Sequence, residues 1–365
     1  MEIRTGTLSD WEAIKQFVKE QHQRLDPNYD IDIELGKIYS KYPGKHASEH
    51  ILAIEDNKII GIGLNHLQTL NYQGHDFLFS IVGNLLVDSA YQNQGVMTKI
   101  MNEINQINKN REVVFSVLKG RRERFRHFGY EKGPYIHHFM VDDYLLKHSK
   151  FTKDTTIQLM RDEDVEECYE FYLKNTKAPI RDRENFLLTL KTNHSTPYVV
   201  YQNDKRIGYL VFNRHHHSIT ECSIEVNELF SAISNLLEVE KLHAVSLLLS
   251  PLEREKNHFL ASHCEGLSII QDQNLKIYNW ISFFKLIISA NIIEFDSDTD
   301  LIIQVDDKTY EIDIEYPVVG VWPSHRKPNI KVDSTTAVML FFSPLSHRNA
   351  PFLPFHFHIP SPDML

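Results

Sequence analysis

The sequence predicts a mixed α/β protein of more than one unit, and three observations lead there. An apolar run, Ile81-Val82 and Leu85-Leu86-Val87, breaks through the polar turn Gln92-Asn93-Gln94-Gly95 into a stretch where Val96, Ile100, Met101 and Ile104 recur at helical spacing. The hairpin pattern of residues 52–64 recurs at residues 198–212, each time about an Asp/Asn turn. At 365 residues the chain exceeds the usual size of a single hydrophobic core.

The elements of the first part follow in order. Glu2 to Thr7 reads as a strand, and Ser9-Asp10 caps a helix with Trp11, Ile14, Phe17 and Val18 on one face. Residues 51–63 form a hairpin turning at Asp56-Asn57. A third strand enters the glycine turn, and Glu112 to Leu118 supplies another after the helix. Arg121 to Phe128 is a short helix closed by Gly129, and a Tyr135–Val141 strand ends the series. A strand that turns through glycine into a helix leaves first-turn N–H groups free with the helix dipole behind them. Such a turn suits a pyrophosphate.

This order, with Gln92-Asn-Gln-Gly95-Val96-Met97 and Phe125-Arg-His-Phe-Gly-Tyr130, resembles the GNAT superfamily of N-acetyltransferases. The first motif is similar to its Gln/Arg-x-x-Gly-x-Gly/Ala acetyl-CoA loop, the second to its downstream aromatic signature. Met97 departs from the small residue common there. It resembles instead the branch of mycobacterial "enhanced intracellular survival" acetyltransferases, which accepts a large apolar residue at that place. The branch implies a mixed-sheet GNAT domain, a second degenerate GNAT-like domain and a sterol-carrier-like α+β domain, here 1–148, 149–272 and 273–365.

The rest of the chain accommodates that layout. A polar stretch over 142–155 reads as a linker. Thr156 to Met160, an Asp162–Asp164 cap and a helix with Val165, Cys168, Phe171 and Tyr172 then start a second unit like the first. Strands are expected at Glu221–Val226 and His243–Leu249, with a helix carrying Leu229, Ile233, Leu236 and Leu237 between them. No glycine turn precedes that helix, so this unit has no means of cradling a pyrophosphate. The last unit is expected to open at Leu275, with a hairpin about Asp306-Asp307 and a helix over Ala337–Phe342.

The resemblance implies acetyl-CoA as acyl donor, held by Gln92, Asn93, Gln94, Gly95, Val96, Met97 and Thr98 through main-chain N–H groups. Leu85, Leu86 and Val87 would pair with the pantetheine arm as a pseudo-strand. The acceptor is expected to be a primary amine of a small molecule or peptide. In this branch the C-terminal carboxylate reaches into the active site, which makes Leu365 the expected catalytic base. The stiff tail Pro354 to Leu365, with three prolines among apolar residues, is of a composition that seeks burial. Phe125 stands where the family commonly has a tyrosine that protonates the leaving thiolate, so that role is left open between another group, water and unassisted departure.

A net charge of −10 without a basic block argues against nucleic acid as the main partner. No apolar run approaches the roughly 20 residues of a membrane span. Three widely spaced cysteines, Cys168, Cys222 and Cys264, suit reduced thiols in a cytoplasm. No metal is expected, since His215-His-His217 has no partners at zinc-site spacing. Asp26, Asp30 and Asp32 are candidates to attract a cationic acceptor, and His356 and His358 to line its site. Homo-oligomers are implied by the branch. Two rivals stand beside the acetyltransferase: a catalytically silent acyl-CoA binder or scaffold, for which Phe125 is the evidence, and a transferase of a longer acyl group.

Overall fold

The computed structural model describes residues 1–40, 44–72, 75–174, 178–291, 301–315, 318–342 and 359–365; His356 and His358 lie outside them. The fold is mixed α/β in three sheets. The first is built from β1 (Glu2–Thr5), β2 (His50–Glu55), β3 (Lys58–Tyr72), β4 (His75–Val87), β5 (Phe115–Lys119) and β6 (Glu131–Lys132). Its first helix, α1 (Trp11–Gln23), buries Trp11, Ile14, Phe17 and Val18 as the spacing requires. The start of that helix is held slightly earlier than expected: the Asp10 carboxylate accepts from the Thr7 N–H at 2.8 Å and pairs with Arg4.

Two features of this sheet make room for a site. Between Ile62 and Leu64 the β3–β4 register shifts, so that Ile62 faces Leu86 and Leu64 faces Gly83, and Asn84 bulges at φ 45°. On its other side β4 runs parallel to β5 in register only from Phe79 to Ile81, opposite Phe115 to Val117. Beyond Ile81 the two strands part, and the main chain of β4 through Leu85, Leu86 and Val87 has no partner strand on that edge among the described residues.

Two strands cross the expected units. Ile136–Asp142, read from sequence as the close of the first unit, pairs antiparallel with Ala244–Leu249 and Leu267–Ile270 in the second sheet. Gln273–Ile277, expected to open the last unit, lies between β5 and β6 in the first sheet. Apolar alternation fixed which face each strand buries but not its neighbour. Leu275 is buried in the core that also holds Phe79 and Phe115, while Asn274 donates to the Gly120 carbonyl at 3.0 Å.

The second sheet continues through Ser218–Cys222, Lys205–Asn213, Ser195–Gln202 and Thr155–Leu159. The expected Glu221–Val226 strand is corrected: the strand ends at Cys222, and Val226 already opens the helix Val226–Glu240, which buries Leu229, Ile233, Leu236 and Leu237. A third sheet of Val318–Pro323, Lys308–Glu315, Leu301–Val305 and Ile330–Val332 packs with helices Trp280–Asn291 and Ser334–Phe342. No helix among the described residues is long and apolar enough to cross a membrane.

Candidate active site

The glycine turn forms as its residues dictate. Asn93 takes φ 61° and Gly95 φ 75°, left-handed conformations that Asn and Gly reach at least cost. Gly95 is the N-cap of α2 (Val96–Asn110), and a Cβ built on it would meet no atom within 4 Å, so its face is open. The first-turn N–H groups of a helix have no partner inside it. Here that first turn borders a cleft of about 650 Å³ lined by Leu85, Leu86, Val87, Gln92, Asn93, Gly95, Val96, Met97 and Thr98. Gln94 alone of the ten expected cofactor residues is not on that lining; its amide donates to the Ala90 carbonyl at 2.9 Å and braces the turn.

Two arginines flank the cleft. Arg24, from the end of α1, pairs with Asp88 at 3.2 Å and donates to Ser89. Arg124 reaches over the Met97 sulfur at 3.1 Å. Of the basic run 119–126, this is the member that faces the cleft, whereas Arg122 and Arg126 pair with the buried Glu131 carboxylate. Phe125 packs within the core of the first sheet, its ring against Gly120. Tyr130 is also buried, and shares a 2.6 Å hydrogen bond with Ser116. Neither position offers a phenol at the cleft.

The described part of the tail, residues 359–365, is docked. Ile359 and Met364 are each 1% exposed. Lys37 reaches the tail from beneath, and its ammonium donates to the carbonyls of Pro362, Asp363 and Met364 at 2.8, 2.7 and 2.7 Å. The Asp363 carboxylate takes a two-pronged bond from Arg181, at 2.8 and 2.9 Å, and Arg181 in turn holds Glu221. Burial pushes Lys37 down to about 7, against the pull of Asp363. Leu365 comes to rest on β4 at the bulge: a Cβ on Gly83 would lie 2.8 Å from the Leu365 Cβ. Glycine is required there by close approach.

Beside Leu365 opens a second cleft, of about 700 Å³, between the first and second sheets. Asp26 and Glu34 line it from one side, His138, His194, His215 and His216 from the other. Asp30 and Asp32 do not: Asp30 caps a short helix and Asp32 pairs with Lys15 at 3.0 Å. His215 and His216 sit on the turn after the Lys205–Asn213 strand, and the turn brings them to the cleft wall.

A polar relay runs below the bulge. His22 shares a hydrogen bond with the Asn84 side chain at 3.2 Å, and the Asn84 amide donates to the Tyr39 oxygen at 3.1 Å. Tyr39 OH in turn donates to His50 Nε2 at 2.8 Å, and His50 Nδ1 to the His46 carbonyl at 2.8 Å. Burial lowers His50 to about 4, which keeps it a neutral acceptor for Tyr39. Lys37, Tyr39, His50, Arg181 and Asp363 were not singled out by sequence; their partners lie from 4 to 327 residues away, and no spacing announces them.

Residues 2–133 match the family model of the Acetyltransferase (GNAT) domain. No curated protein sequence matches the chain. Solved structures share the fold at low identity. A protein of unknown function from Enterococcus faecalis V583, described as a probable N-acyltransferase, is 15% identical at TM-score 0.69 over 96% of this chain and 92% of its own. Eis1 from Mycobacterium abscessus is 13% identical at TM-score 0.66, covering 95% and 90%. A GCN5-related N-acetyltransferase from Anabaena variabilis ATCC 29413 is 12% identical at TM-score 0.71, covering 96% and 92%. The fold of these structures thus extends over nearly the whole chain, and the GNAT domain match over residues 2–133 supports acyl transfer.

Proposed function

We propose that this chain transfers an acetyl group from acetyl-CoA to a primary amine. The observation that carries the reading is the left-handed Gly95 turn, which opens the first N–H groups of α2 onto a cleft beside the unpaired edge of β4. A pyrophosphate fits those N–H groups, with Arg24 and Arg124 at hand for further phosphate charge. An extended pantetheine arm fits the β4 edge at Leu85, Leu86 and Val87, main chain to main chain.

The parted strands would then bring the thioester toward the bulge where Leu365 rests. An amine entering from the Asp26–Glu34 cleft as an ammonium must lose a proton before attack. The Leu365 carboxylate, clamped through Lys37 and Arg181, is the base we assign. The freed amine attacks the thioester carbon and a C–N bond forms; the C–S bond breaks with its electron pair leaving as thiolate, and the attacking nitrogen gives up its second proton to that thiolate or to water. Since Phe125 carries no proton, the thiolate departs without a tyrosine acid, which a thiol with a pKa near 8.5 tolerates. The Asp26 carboxylate of the second cleft favours a cationic acceptor, Glu34 being already in contact with His194.

With this reading go three further proposals: a sterol-carrier-like scaffold in the third sheet, assembly into homo-oligomers, and a cytoplasmic setting for its free cysteines. The second reading, a silent acyl-CoA binder, is favoured by Phe125 alone. Release of CoA thiol from acetyl-, propionyl- and succinyl-CoA, followed against a panel of small and peptide amines, separates the two. The proposal expects turnover with acetyl-CoA, and a drop in kcat of about 10² or more on deletion of Leu365 with acetyl-CoA affinity retained. Tight acetyl-CoA binding without thiol release to any amine would overturn it in favour of the silent binder.

A further inference from the structure

Away from the clefts, three side chains of metal-ligating type converge. Glu49 Oε2 lies 2.9 Å from His46 Nδ1 and 2.8 Å from His66 Nδ1, and the three ligand atoms all fall within 4.8 Å of one another. His46 and Glu49 come from the turn that leads into β2, and His66 comes from β3 alongside. We propose that His46, Glu49 and His66 form a binding site for a borderline divalent cation of the Zn²⁺ class. Two imidazole nitrogens and one carboxylate oxygen are the donor set such ions take, at about 2.0–2.2 Å, with a fourth position left to water. Ligands at those bond lengths stand roughly 3.3 Å apart around a tetrahedral ion, against 2.8 and 2.9 Å from Glu49 to the two histidines and at most 4.8 Å for the remaining pair.

The outer contacts fit. A metal-ligating histidine donates its second ring N–H to an oxygen. His66 Nε2 lies 3.0 Å from the Gln68 side-chain amide nitrogen, and the amide oxygen has no partner among the described residues. Nothing bonded to that oxygen therefore fixes the amide's direction. Turned by half a revolution, an orientation its heavy atoms allow equally, it accepts from His66 Nε2–H. His66 Nδ1 then presents its lone pair toward Glu49 Oε2 at 2.8 Å, an arrangement that a bound cation or a second ring proton relieves. Glu49 also borders a cleft of about 330 Å³ with Ser48, Asn65 and Arg111, which gives an ion a way in.

The site has a structural consequence. An ion would tie the His46–His50 turn to β3, and with it the His46 carbonyl that fixes His50, Tyr39 and Asn84 at the bulge. It does not depend on the acetyltransfer reading.

The test uses full-length protein without a polyhistidine tag, stripped by chelator and desalted. Zn²⁺ is titrated by calorimetry, and Co²⁺ is followed by its visible ligand-field bands, in wild type, His66→Ala, Glu49→Gln and a His215→Ala/His216→Ala variant. The site predicts one equivalent of Zn²⁺, Co²⁺ bands of a low-coordinate nitrogen–oxygen site, and affinity lowered at least about 100-fold by His66→Ala and 10-fold by Glu49→Gln. It predicts no loss on removal of His215 and His216. Should His66→Ala fail to fold, the wild-type Co²⁺ spectrum and the conservative Glu49→Gln decide. Absence of stoichiometric binding in wild type, or binding that survives both changes in the triad, would overturn the proposal.

Discussion

Replacing Lys37 by methionine keeps the length and most of the volume of the side chain but, below about pH 7 where Lys37 is an ammonium, removes three donors. The carbonyls of Pro362, Asp363 and Met364 then face an apolar terminus. A buried acceptor left unpaired costs about 1–3 kcal/mol, so three give about 3 kcal/mol at the low end. What remains to hold the tail is the burial of Ile359 and Met364, worth about 1.5–3 kcal/mol each, and the Arg181–Asp363 pair. The loss is comparable to the apolar grip, so the tail should open locally while the sheets stay folded. About 3 kcal/mol shifts an opening equilibrium by about 100-fold. The reporters are the amides of Asp363 and Met364, which donate to Pro360 and Ser361 within the tail. Hydrogen exchange of the C-terminal peptide should quicken by about that factor in Lys37→Met, with the Ala244–Leu249 strand unchanged. Exchange within threefold of wild type would refute the reasoning, for the three carbonyls would then not be what secures the tail.

Further outcomes follow from the same geometry. Lys37 has its folded pKa lowered to about 7 by burial, against 10.5 unfolded. Between those values the unfolded chain holds a proton that the folded chain has given up. Its contribution to stability therefore rises with pH across the window, by at most about 1.4 kcal/mol per unit, and is flat on either side. Urea midpoints of wild type should gain on those of Lys37→Met from pH 7.5 to 9.5; a constant difference would contradict the assignment. Arg124→Ala, which empties one flank of the cofactor cleft, should weaken acetyl-CoA binding about 10-fold in calorimetry with no change in thermal midpoint beyond a degree or two. Phe125→Tyr should alter kcat by less than about threefold, because the ring is packed against Gly120 in the core and its tip does not face the cleft. A large rise in thiol release would show that a tyrosine there reaches the leaving group.

How far the sequence announced this molecule depended on whether the signal was local. The Asp56-Asn57 and Asn203-Asp204 turns were legible, and all four residues take left-handed φ, from 49° to 60°. The Gly95 turn and the Gly129 stop, at φ 75° and 88°, were read for the same reason, since glycine and asparagine betray such conformations. Sheet membership was not legible. Ile136–Asp142 and Gln273–Ile277 alternate as strands should, but alternation specifies a buried face and says nothing of the strand alongside. The tail's burial was foreseeable from Ile359, Pro360 and Pro362, while its anchors were not. Lys37 meets Pro362 across 325 residues, and a buried ammonium leaves no mark on composition or periodicity. The His46–Glu49–His66 group escaped notice because its third member comes from the neighbouring strand.

The central claim is that the Gly95 turn cradles the pyrophosphate of acetyl-CoA. Calorimetric titration of wild type with acetyl-CoA, beside Gly95→Asp, tests it most directly. Aspartate would strain a residue held at φ 75° and set a negative charge in the open space before the α2 N-terminus. The account predicts micromolar binding by wild type, about −8 kcal/mol, and none measurable in the variant with its fold intact by circular dichroism. Equal binding by both, or none by wild type, would contradict it.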